Sequence, residues 1–117
     1  MSLKANVDAL NSMILQGQIL EAFDKYYADD VVMQENDGEE RVGKAVCRGF
    51  EEAFVSGLTE FRGAAVKSVA VDEENEVAMV EWFFDYSHKD WGDRTGHQVA
   101  RQQWKDGQIV HERFYYG

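Results

Sequence analysis

The chain has 117 residues, enough for one domain that buries roughly two-thirds of the surface its unfolded form exposes, with no need of staples. Twelve Lys and Arg stand against 22 Asp and Glu, a formal net charge of −10, which would repel nucleic acid and anionic membrane surfaces. The single Cys47 excludes an internal disulfide framework, and no stretch approaches the roughly 18 consecutive apolar residues of a membrane-spanning helix.

Leu3, Val7, Leu10 and Ile14 recur at helical spacing and predict an amphipathic helix over 3–16. Gly17 punctuates it. Ile19, Leu20, Phe23, Tyr26 and Tyr27 mark a second helix, ending near Asp29-Asp30. Val31-Val32-Met33-Gln34-Glu35 is short and β-branched and predicts a strand. Asn36-Asp37-Gly38 follows as a turn. Ala45, Val46, Phe50, Ala53, Phe54 and Leu58 predict a third helix from about Lys44 to Gly57.

The second half changes period. A strand rich in Ala and Val is expected over 61–71, then a polar hairpin loop, Asp72-Glu73-Glu74-Asn75. A long aromatic strand is expected over 76–88, and Lys89-Asp90-Trp91-Gly92-Asp93 is another loop. Residues 94–105 and 108–116 form a hairpin about Asp106-Gly107, a strong turn signal. Helices first and a meander after them predict an α+β architecture, with the helices on one face of a mainly antiparallel sheet.

This order resembles the nuclear transport factor 2-like superfamily, which includes ketosteroid isomerases, SnoaL-like polyketide cyclases and limonene epoxide hydrolase. The sharpest stretches are Tyr27-Ala28-Asp29-Asp30-Val31-Val32, Arg41-Val42-Gly43-Lys44, and the end of the chain from Trp104 to Tyr116. The last is most similar to the SnoaL-like branch. The resemblance covers nearly the whole chain. It implies a cone-shaped fold, three N-terminal helices on a curved sheet, an apolar interior that takes a small molecule, and a homodimer. It also maps isomerase residues. The general-base carboxylate falls on Glu35, the tyrosine of the first helix on Asn11, and the acid of the penultimate strand on Ala100. Two of the three catalytic side chains are therefore replaced. Losing both charge-stabilising donors argues against steroid isomerase activity.

Three carboxylates are candidates for acid–base chemistry. Glu35 shares a strand face with Met33, which the helices should cover, and a carboxylate in an apolar hollow has its pKa raised by desolvation. The alternative is a Glu35 that ends its strand in water. Glu81, Phe83 and Asp85 alternate with Trp82, Phe84 and Tyr86, and a slip of one residue exchanges the two sets. Likeness to the isomerases implies that Met79, Glu81, Phe83 and Asp85 face inward. In the last hairpin, a three-residue turn would set Ala100 opposite Glu112 and Gln98 opposite Phe114. A two-residue turn would pair Arg101 with Glu112. The family arrangement implies the first, with Gln98, Ala100, Gln102, Glu112, Phe114 and Tyr116 in the pocket.

The expected catalytic residues are thus Glu35, Glu81 and Glu112. The expected ligand contacts are Tyr26, Met33, Phe54, Phe83, Gln98, Phe114 and Tyr116. His88, His97 and His111 lie on separate strands without ligand spacing, so no metal and no cofactor is expected. Cys47 reads as a small buried hydrophobe. The N-terminal Met1-Ser2-Leu3-Lys4-Ala5-Asn6 has no apolar signal core, and a cytoplasmic location is expected. Two functions fit. One is an enzyme that isomerises, cyclises or hydrates a small apolar molecule. The other is a non-catalytic ligand-binding or dimerisation module, with Trp104 and Tyr115 on an outer face.

Overall fold

The computed structural model describes residues 2–117. The first helix, α1 (Leu3–Leu15), opens on Ser2, whose Oγ accepts the Ala5 N–H at 3.1 Å. Glu73, from a distant hairpin, accepts the N–H groups of Leu3 and Lys4 at 3.0 and 3.1 Å. These acceptors satisfy amides that a helix start leaves free, and the Glu73 charge suits the positive end of the dipole. Leu3, Val7 and Leu10 are buried, one turn apart. A second helix, α2 (Ile19–Tyr26), buries Ala22, Phe23 and Tyr26.

The chain passes directly from α2 into β1 (Tyr27–Glu35), four residues earlier than its β-branched run suggests. A two-residue strand, β2 (Arg41–Val42), pairs with β1, and α3 (Lys44–Gly57) follows. Four further strands complete the sheet: β3 (Leu58–Asp72), β4 (Val77–His88), β5 (Gly92–Lys105) and β6 (Gln108–Tyr115). The order is β2-β1-β6-β5-β4-β3. Among the described residues only β1 and β6 run parallel, which sets Met33 beside Glu112 and Glu35 beside Phe114. Three helices on a curved, mostly antiparallel six-stranded sheet form the expected α+β cone. Among the described residues no helix is long and apolar enough to cross a membrane.

Two registers decide which side chains face the helices. In β4 the buried residues are Ala78, Val80, Trp82 and His88, whereas Met79 is exposed. The expectation that Met79, Glu81, Phe83 and Asp85 face inward is therefore corrected by one residue. Aromatics stand on both sides of this strand, so its pattern did not identify the inner face. Phe83 packs on His97, its partner across the β4–β5 pair, with ring centroids 5.3 Å apart.

In the last hairpin the turn has two residues, Asp106 and Gly107, both at positive φ (53° and 79°). That twist matches the flanking strands, and glycine adopts it without steric cost. Lys105 pairs with Gln108 and Trp104 with Ile109. A bulge then shifts the register, so that Gln102 faces Glu112 and Ala100 faces Phe114. Neither expected pairing occurs, yet Gln98, Gln102, Glu112, Phe114 and Tyr116 still line the hollow between helices and sheet, whereas Ala100 is buried in the core outside it. Trp104 is buried at 1% exposure and edge-on to Tyr26 at 6.0 Å, so it does not belong to an outer face.

Candidate functional site

A cavity of about 550 Å³ lies between helices and sheet. Leu10 and Ile14 of α1, Phe23 of α2, and Phe50 and Phe54 of α3 form its upper wall. Trp82, Phe84 and Phe114 supply most of the apolar floor. Glu35, Trp91, Arg94 and Tyr116 line it and are themselves exposed, which places them at the rim. Phe54 stacks near Trp91 at 6.1 Å and meets Tyr86 edge-on at 5.2 Å, making that side of the entrance aromatic.

The polar centre of the floor is Glu112, 2% exposed. The Tyr27 hydroxyl donates to its Oε1. Gln102 Nε2 donates to its Oε2 at 2.8 Å, and Trp104 Nε1 in turn donates to Gln102 Oε1 at 3.0 Å. The indole thus orients the amide, and the amide and phenol together hold the carboxyl. The bulge in β6 and the early start of β1 bring these partners together. Tyr27, assigned from sequence to a helix end, is the first residue of the strand beside β6.

Burial pushes Glu112 up to about 7, against the opposing pull of Tyr27, Gln102 and the Arg41 charge. Tyr27 is raised well above the ordinary tyrosine range, mainly by burial and then by the Glu112 charge. A second carboxyl, Glu51 of α3, lines the same cavity. Burial and then the Glu112 charge push it up to about 7 as well.

Glu35 lies elsewhere than in a water-poor hollow. It ends β1 beyond the cover of the helices, and its side chain is 47% exposed. Arg41 Nη1 donates to its Oε2 at 2.8 Å, and the Tyr116 hydroxyl lies 3.4 Å from its Oε1. It reaches the cavity only at the rim. Glu81 is on the opposite face of the sheet, where it accepts a bond from Ser68 Oγ at 2.9 Å. Glu35, Glu81 and Glu112 are therefore not one cluster.

Of the expected ligand contacts, Phe54, Gln98, Phe114 and Tyr116 line the cavity. Tyr26, at the end of α2, and Met33 of β1 are sealed in the core, at 6% and 1% exposure, Tyr26 edge-on against Trp104. Phe83 faces away with Glu81. His88 is buried, with Nε2 3.1 Å from the Ala53 carbonyl and Nδ1 accepting the Asp90 N–H at 3.1 Å. Asn11, where the resemblance maps a catalytic tyrosine, is buried and does not line the cavity.

Sequence reasoning missed Glu51 because it followed the apolar residues of α3. A different line was available. Cys47, Glu51, Phe54 and Leu58 are spaced i, i+4, i+7 and i+11, and so share one helix face.

Residues 7–112 match the SnoaL-like domain model. A Mesorhizobium loti protein provisionally named a SnoaL-like polyketide cyclase shares 26% identity and superposes with a TM-score of 0.86, covering 99% of this chain and 100% of its own. A provisionally named polyketide cyclase from Pseudomonas putida shares 21% identity at a TM-score of 0.79, covering 100% and 92%. A provisionally named isomerase from Bacillus subtilis shares 12% at 0.81, covering 100% and 90%. These last two establish likeness of fold alone. A search of curated proteins finds no match. With its helices, sheet order and aromatic-lined cavity all in place, and with the match running from Val7 to Glu112, the chain belongs to the SnoaL-like domain family.

Proposed function

We propose that this protein is an acid–base enzyme of the isomerase, cyclase or hydratase type, acting on a small, largely apolar molecule held in the cavity. The observation that carries this reading is Glu112. It is a carboxyl sealed from bulk water on the floor of an aromatic chamber, and it is held in place by Tyr27 and Gln102. A carboxyl poised near 7 is present in both protonation states at neutral pH, as proton transfer requires. The apolar walls would hold the body of the ligand. Glu35, Arg41 and Tyr116 would meet a polar end at the rim. The similarity to a provisionally named polyketide cyclase fits this class of chemistry.

One observation favours a second reading. Both Glu112 oxygens already have protein donors, which suits a structural carboxyl in a binding module. Proton exchange separates the two. The protein is incubated in D2O with 2-cyclohexenone and acetophenone, and loss of the carbon-bound proton signals is followed by NMR. An enzyme of the proposed type exchanges them faster than free carboxylate at equal concentration, and Glu112→Gln abolishes the excess. Binding without exchange would leave the module.

A further inference from the structure

Glu51 opens onto the cavity from the helical wall, between Phe50 and Phe54, while Glu112 lies on the sheet below. The two carboxyls are treated differently by their surroundings. Each oxygen of Glu112 receives a donor. Among the described residues, Glu51 has neither a hydrogen-bond donor nor an ion-pair partner, although Arg41 is near enough to favour its charge. That guanidinium is bonded to Glu35.

Two carboxyls that share a desolvated space hold a proton between them, because like charges there repel. Hydrogen bonding decides where the proton resides. Donors from Tyr27 and Gln102 favour the anion at Glu112, and nothing comparable favours it at Glu51. We propose that Glu51 is the proton donor of this cavity, a neutral acid whose free O–H faces the ligand and which the Glu112 anion keeps protonated. This rests on the proton-transfer reading above and adds an acid to its base.

The step balances without a further reactant. The Glu112 carboxylate removes a proton from a carbon beside a carbonyl. The C–H pair becomes the enol double bond, and the carbonyl π pair moves to oxygen, which takes the proton of Glu51. Return of the protons in the opposite sense restores the carbonyl compound, and delivery to a different carbon completes an isomerisation. The charged and titratable groups around Glu51 are Glu35 and Tyr27 of β1, Arg41 of β2 and Glu112 of β6, with Tyr86, Arg94, His97 and Tyr116 lining the same cavity.

The test is a pH titration by NMR of protein carrying 13C at its glutamate carboxyls, with Glu51→Gln identifying the signal. In the wild type Glu51 should ionise with a midpoint of about 7. In Glu112→Gln the midpoint should fall by about one pH unit or more, since the repelling charge is gone. In the D2O assay, Glu51→Gln should slow exchange by about 100-fold, the scale of a general acid, with probe binding intact. Glu51 has no protein partner to lose, so this variant should fold, as circular dichroism would show. A Glu51 midpoint near 4 in the wild type, or full exchange by Glu51→Gln, overturns the inference and leaves Glu112 as a lone base. A wild type that exchanges neither probe removes the proton-transfer reading itself, and the donor role with it.

Discussion

Replacing Glu112 by Gln should change stability with a sign that depends on pH. In the native protein this carboxyl is lifted from its ordinary 4.5 to about 7. Between those values the unfolded chain has released its carboxyl protons, while the native cavity, with Glu112 and Glu51 both raised to about 7, still holds protons on the pair. The native state then binds more protons, so stability falls as pH rises through the window. The contribution is intact below about 4.5 and wholly lost above about 7. At about 1.4 kcal/mol per tenfold in proton affinity, the loss is about 3 kcal/mol.

Gln has no such dependence but brings its own cost. Its single amide oxygen can accept from Gln102 Nε2 or from the Tyr27 hydroxyl but not from both, although both donate to Glu112 at present. The Gln102 amide cannot turn over freely, since its Oε1 holds the Trp104 indole. A buried donor left without an acceptor costs about 1–3 kcal/mol. At pH 5 the variant should thus be less stable than wild type by that amount. By pH 8.5 the difference should shrink to zero or reverse, a swing of about 2–3 kcal/mol. Glu51 adds to the swing, because loss of the Glu112 charge eases its ionisation in the variant. Urea unfolding followed by tryptophan fluorescence at both pH values measures this, with m unchanged as the check on two-state behaviour. A difference that is the same at pH 5 and 8.5, or that grows toward high pH, would refute the claim that Glu112 is buried and raised.

Three further outcomes follow from named contacts. A Cβ on Gly57 would fall 2.1 Å from His88 Nε2 and 2.3 Å from its Cε1. Gly57→Ala should therefore cost about 2–3 kcal/mol and lower Tm by about 10 °C in calorimetry. Trp104→Phe leaves Gln102 Oε1 buried without its donor and should cost about 2 kcal/mol in urea unfolding. Glu81→Gln, on the outer face beside Ser68, should alter stability by less than about 0.5 kcal/mol. It should also leave probe exchange in D2O untouched, and a loss of exchange would place that residue back at the cavity.

The element order apart from the two-residue β2, the helical faces of α1 and α2, and the two-residue turn signal at Asp106-Gly107 are short-range properties, and the sequence determined them. Helical spacing places Val7 and Leu10 inward because each depends on residues within a turn of itself. Glu112 and the inward set of the last hairpin were also legible, with the help of family likeness. The faces of β4 were not. Phe83 and Phe84 are equally apolar, and only pairing with β3 and β5 and closure of the helices decide which is covered. The environment of each carboxyl was decided the same way. Glu35 and Glu112 both suit the floor of a cavity by sequence. The helices stop short of the first, and Tyr27, Gln102 and Trp104 close around the second. A carboxyl's proton affinity is set by the water, charges and donors within a few ångströms. Those neighbours, drawn from β1, β5, β6 and α3, meet only in the folded chain.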